Sequence, residues 1–135
     1  MGKNMEQPNW QPISFLPQIS LMINGMLEAA IDTCEPLKKI KVHDDYTIKR
    51  ILEVTGSQVE DEWLYDEQLK RWLDIKNLST ELQTEIKDLQ DKMAELKKVN
   101  RKIMGVAKAN EDKTIDKVLS KSDAEVGLDF LLGKL

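Results

Sequence analysis

The chain has 135 residues, 41% of them hydrophobic and 33% charged, with a net charge of −4. This is the size of a single domain, and the negative balance argues against a general nucleic-acid binder. One cysteine, Cys34, excludes an internal disulfide and fits a reducing, cytoplasmic setting.

Residues 1–12 are polar, carry Pro8 and Pro12, and read as a flexible N-terminal arm that Trp10 is placed to pin. Glu6 stands where a myristoylation signal requires Ser or Thr, so no acyl anchor is expected. No apolar run approaches the ~18–20 residues that cross a bilayer, and no membrane partner is expected. A first helix should start near Ser14, with Pro17 in its first turn, where a missing N–H costs little. Ile19, Met22, Ile23, Met26, Leu27, Ala30, Ile31 and Cys34 recur at helical spacing and form one wide stripe. Pro36 should end that helix and open a basic connector over 36–43.

Asp44 or Asp45 then caps a second helical stretch, in which Ile48, Leu52, Thr55, Val59 and Trp63 share a face and Gly56 is a weak point. From Trp72 a heptad sets in. Trp72, Ser79, Ile86, Met93, Asn100 and Ala107 fall at a, and Ile75, Leu82, Leu89, Leu96 and Ile103 at d, with no charged residue among them. Such a helix would run roughly 50 Å at 1.5 Å per residue. Apolar Leu78, Val99 and Val106 at g widen the stripe, which suits a bundle better than a two-stranded coil. The 48–63 face points about half a turn from the 72–103 face. Either the helix bends near Gly56, or residues 63–73 are buried nearly all round. Residues 105–112 read as a linker. Beyond it, Ser122 and Glu125 form a capping box before an apolar end, VGLDFLLGKL. The expected organisation is an arm over 1–12, a helical hairpin or bundle over 13–108, and a linker with short helices over 109–135. The fold class is all-α, an elongated helical bundle with a long coiled-coil-like helix in its second half.

No complete catalytic motif stands out. Cys34 lies on an apolar stripe and reads as a small core hydrophobe. His43, the only histidine, reads as a surface residue near a helix start. Glu81, Glu85 and Asp88, at steps of four and three, share a helix face and are the candidate metal ligands. Lys87 and Lys92 interleave with them, and pairs such as Asp88 with Lys92, Glu67 with Arg71 and Asp66 with Lys70 favour a solvated, ion-paired face. Lys97, Lys98, Arg101 and Lys102 form a basic face suited to anions, without interleaved aromatics for base stacking. Asn100, polar on an apolar seam, either fixes the register of an oligomer or faces solvent.

These features point to a helical interaction or assembly protein, non-catalytic and without a cofactor. It would form a homo-oligomer, a dimer first, through a seam of Trp72, Ile75, Leu82, Ile86, Leu89, Met93, Leu96, Asn100 and Ile103. The C-terminal segment either packs back on the bundle or docks into a partner protein. Two alternatives remain open: a Mg²⁺-dependent helical hydrolase or small-ligand binder on the carboxylate stripe, and a nucleic-acid-associated protein on the basic face.

Overall fold

A computed structural model describes residues 8–39 and 43–114. All regular structure among them is helical. A 3₁₀ turn, Ile13–Phe15, leads into α1 (Leu16–Lys39), followed by α2 (Asp45–Leu73) and α3 (Thr80–Ala109). The proposed capping box at Ser122 and the apolar segment VGLDFLLGKL lie outside the described residues.

The entry to α1 is tighter than expected. Ser14 does not cap it. The Phe15 N–H instead donates to Pro12 O at 2.9 Å, closing the 3₁₀ turn before the α-helix begins. Pro36 does not end α1 either, for the helix runs three residues beyond it. A proline inside a helix costs about 3 kcal/mol. Two things offset it here. Pro36 stands in the last turn, and Leu37 continues the stripe of Ala30 and Cys34 and is buried, which contributes about 1.5–3 kcal/mol. The basic connector is shorter than read, since Pro36 to Lys39 belong to α1.

Asp44 caps α2, its Oδ1 accepting the Thr47 N–H at 2.6 Å. That hydrogen bond holds the Asp44 carboxyl below its ordinary range. A carboxylate with a lowered folded pKa stabilises above its unfolded pKa, and that stabilisation is lost as pH falls through the lowered value. Asn caps a helix as well as Asp but does not titrate. Asp44→Asn should therefore flatten the acid limb of a plot of melting temperature against pH while leaving the neutral plateau in place. Helix α2 continues through Gly56, where an added Cβ would make only ordinary contact with Met104 Cε, at 3.9 Å.

The heptad does not run through one helix. Leu73 ends α2, Asn77 takes a left-handed conformation at φ 61°, and Ser79 caps α3 by accepting the Leu82 N–H at 3.2 Å. Residues 44–107 are thus two helices. Ser79 is a cap rather than a seam residue, and Ile75 is an exposed loop residue. Asn tolerates φ > 0 because its short polar side chain bonds locally, whereas a β-branched residue is strained there. Asn77→Ile should cost about 1–2 kcal/mol in denaturant unfolding, and Asn77→Gly close to nothing. At the far end α3 extends to Ala109, so 105–109 of the expected linker is helical, and the Asn110 side chain closes the helix by donating to Val106 O at 2.8 Å.

Two long-range ties set the helix directions. Near the start of the chain, Gln11 bonds Gln68 and Trp72 close to the end of α2. Beyond α3, the Thr114 hydroxyl donates to Asp45 at the start of α2. Helices α1 and α3 therefore run one way and α2 the other. Helix α3 is central: both α1 and α2 pack along it, while α1 and α2 scarcely approach each other. Ile86, Leu89, Met93, Leu96 and Ile103 of α3 are buried against Leu16, Ile23 and Cys34 of α1 and against Ile48 and Leu69 of α2. No helix among the described residues is long and apolar enough to cross a membrane.

Candidate interaction surface

The structure brings together most of the residues read as an oligomer seam, but within one chain. Trp72, Ile86, Leu89, Met93, Leu96, Asn100 and Ile103 are all buried, and Leu82 is half-buried against them. A stripe this apolar needs cover, and α1 and α2 supply it. Within one chain these side chains are packed against α1 and α2. Asn100 is buried to 1% exposure rather than facing solvent. Its amide donates to Glu62 Oε2 at 3.0 Å and Gln58 Oε1 at 3.4 Å, which ties α3 to α2. A buried amide with polar partners on only one helix fixes which helix packs there and in what register.

The charged candidates are placed differently. Glu81, Glu85 and Asp88 lie exposed along α3, and Asp88 pairs with Lys92 at 3.3 Å. Lys92 also donates to Asn24 Oδ1 on α1 at 2.8 Å. Among the described residues no group of three or more His, Cys, Asp or Glu is arranged to hold a metal ion. Of the basic face, Lys97 pairs with Asp66 across the α2–α3 interface, while Lys98, Arg101 and Lys102 are exposed. Asp66 thus reaches across to α3 rather than along its own helix to Lys70. Glu67 and Arg71 pair as expected, at 3.1 Å. Cys34 is a buried core residue. His43 is buried too, at 6% exposure, rather than on the surface, and its Nε2 finds no hydrogen-bond partner among the described residues.

Two surfaces remain. The first is an outward stripe on α2. Its buried face drifts along the helix, from Ile48 and Thr55 early to Gln68, Leu69 and Trp72 late. Helix α2 is continuous through Gly56, and Val59 at 40% and Trp63 at 54% exposure stay outside that buried face. With Leu52 and Gly56 they form a line at steps of four, three and four, one helix face. Trp10 does anchor the arm: it meets Trp63 edge-on with ring centroids 6.3 Å apart, and the Arg71 guanidinium sits 4.5 Å over its ring.

The second surface is a cleft between α1 and α2, over α3. Met93 and Leu96 form its floor, Met26 one wall, and Ser57, Gln58, Asp61, Glu62 and Tyr65 the other. It continues toward the start of the chain into a wider hollow of about 290 Å³ under Pro8, Asn9 and Trp10. Burial, and then the nearby Asp61 carboxylate, push the Tyr65 hydroxyl above its ordinary pKa. No local pattern announces this cleft, because it results from an interface that α1 and α2 scarcely make. Comparison of the chain with protein-family models, curated proteins and solved structures returns no match.

Proposed function

We propose that the chain is a non-catalytic helical interaction protein that assembles with a second copy of itself through the outward face of α2. The observation that carries this is the pair Val59 and Trp63, both large, apolar and exposed one turn apart on a 29-residue helix. Leu52 and Gly56 extend the same line. A contiguous apolar line on a long helix is a common form of protein-binding surface. A two-fold axis would place the stripe against itself. The reducing compartment that a lone buried cysteine suits is part of this reading.

Light scattering or sedimentation of the full chain at micromolar concentration should give the mass of two chains. Val59→Asp should give one chain with unchanged helical circular dichroism, because Val59 contributes little to the intrachain core. A single-chain mass for the wild type would overturn the proposal.

A further inference from the structure

We propose that the hollow between the N-terminal arm and the later half of α2 binds a small organic cation, an ammonium on an aromatic body with a carbonyl oxygen at its far end. Its volume of about 290 Å³ stands near the lower end of the range for small-molecule sites. Trp10 of the arm, Ile19 of α1 and Leu64 of α2 give it apolar walls, and Asp61, Tyr65 and Gln68 give it polar ones. The three polar residues follow at steps of four and three, so they share one face of α2.

Gln68 marks one end of the site. It is 5% exposed, and its Oε1 accepts the Gln11 N–H at 2.7 Å. A backbone N–H bonds only to the oxygen of an amide, so the orientation of this side chain is fixed and its NH₂ group is left over. That NH₂ makes no hydrogen bond among the described residues, and neither does the Tyr65 hydroxyl. A buried donor without a partner is costly, and a carbonyl oxygen in the hollow would satisfy it. The Asp61 carboxylate stands at the other end, two turns away or about 10 Å along the helix. Charge decides what binds there. No Lys or Arg lies between Leu16 and Leu37 or between Ile51 and Leu69, and the second stretch holds six acids. The Arg71 guanidinium over the Trp10 ring is answered by Glu67 at 3.1 Å. A cation is therefore favoured and an anion repelled. A carboxylate offers about four lone-pair sites, so Asp61 can accept from an ammonium in addition to bonds it already makes. An aromatic body between the two ends would lie against Trp10, Ile19 and Leu64.

Titration of the ¹⁵N-labelled full chain with para-acetylphenethylamine tests this, read at the Gln68 side-chain amide and the Trp10 indole N–H by NMR. Saturable shifts of both are expected. The corresponding carboxylate, para-acetylphenylpropionate, should give none. Phenethylamine, which lacks the carbonyl, should bind about fivefold more weakly, the equivalent of one net hydrogen bond. Gln68→Glu still accepts the Gln11 N–H but has no NH₂, and it should erase that preference between the two amines. Asp61→Asn, at a half-buried position, should weaken the acetyl amine about tenfold, and it tests the other end of the site if Gln68→Glu fails to fold. No saturable shift with the acetyl amine, equal binding of the carboxylate, a carbonyl preference that survives Gln68→Glu, or an affinity indifferent to Asp61→Asn would each overturn the proposal.

Discussion

Trp72→Ala should destabilise the protein by about 3–5 kcal/mol, among the largest losses a single truncation can cause. Trp72 is 2% exposed, belongs to the core under the end of α2, and donates its indole Nε1–H to Gln11 O at 2.9 Å. Its removal leaves a large cavity and also releases the arm, because Gln11 would then be held only through its N–H to Gln68 Oε1 at 2.7 Å. Trp72→Phe separates the two effects. It keeps most of the packing and loses one hydrogen bond, a net of about 1 kcal/mol, plus a smaller volume loss. Urea unfolding would give both values, and Trp10 fluorescence would report the arm. If Trp72→Ala cost less than 1 kcal/mol, the residue would not be a core element and the arm's docking would need another cause.

Asn100→Asp should be as damaging, and it should carry a pH signature. Asn100 is 1% exposed and donates to Glu62. A carboxylate in its place would be buried, would lose the donor, and would face a like charge, at a cost of about 3–5 kcal/mol near neutral pH. Protonation restores the donor. The new carboxyl therefore has a folded pKa raised above its unfolded value. Its penalty is absent below the unfolded pKa of about 4 and grows as pH rises through the folded pKa. Asn100→Leu makes the contrast. It buries no charge, and Gln58 and Glu62, both half-buried, can turn to water, so the loss should be small and nearly independent of pH. Melting temperatures of the two variants between pH 4 and 8 would decide it. Parallel curves would show that Asn100 does not face Glu62 in solution.

These two residues also show what kind of interface α2 and α3 form. The contact is apolar through most of its length, but the Asn100–Glu62 bond and the Lys97–Asp66 pair mark it at two levels. A slip of α3 by one turn would part Asn100 from one of its two partners, Gln58 or Glu62, and separate Lys97 from Asp66. Polar contacts of this kind add little net stability, yet they make the wrong registers expensive. The α1–α3 contact has one polar tie among the described residues that crosses it, Lys92 to Asn24.

The sequence by itself determined the all-helical class, the apolar stripe along α3 and most of that along α1, a cap at Asp44 or Asp45, and a contact role for Trp10. Each depends on short-range physics: a period of 3.6 residues, a side chain three residues from an orphan N–H, an aromatic ring in a polar arm. Tertiary structure decided the rest. The heptad count continues in register from Trp72 to Ala107 across a loop, so arithmetic alone could not see the break that Asn77 and Ser79 make. The burial of Leu37 lets α1 continue past Pro36, although local preference argues for a stop. His43 is buried because of what packs over it, which no local pattern encodes, and the partners of Asn100, Gln58 and Glu62, are likewise set by packing. Above all, an apolar stripe states that a helix must be covered and does not say by what. Here α1 and α2 cover α3 from within the same chain, and the two surfaces left over, the outer line of α2 and the cleft beside α1, follow from that choice of partners.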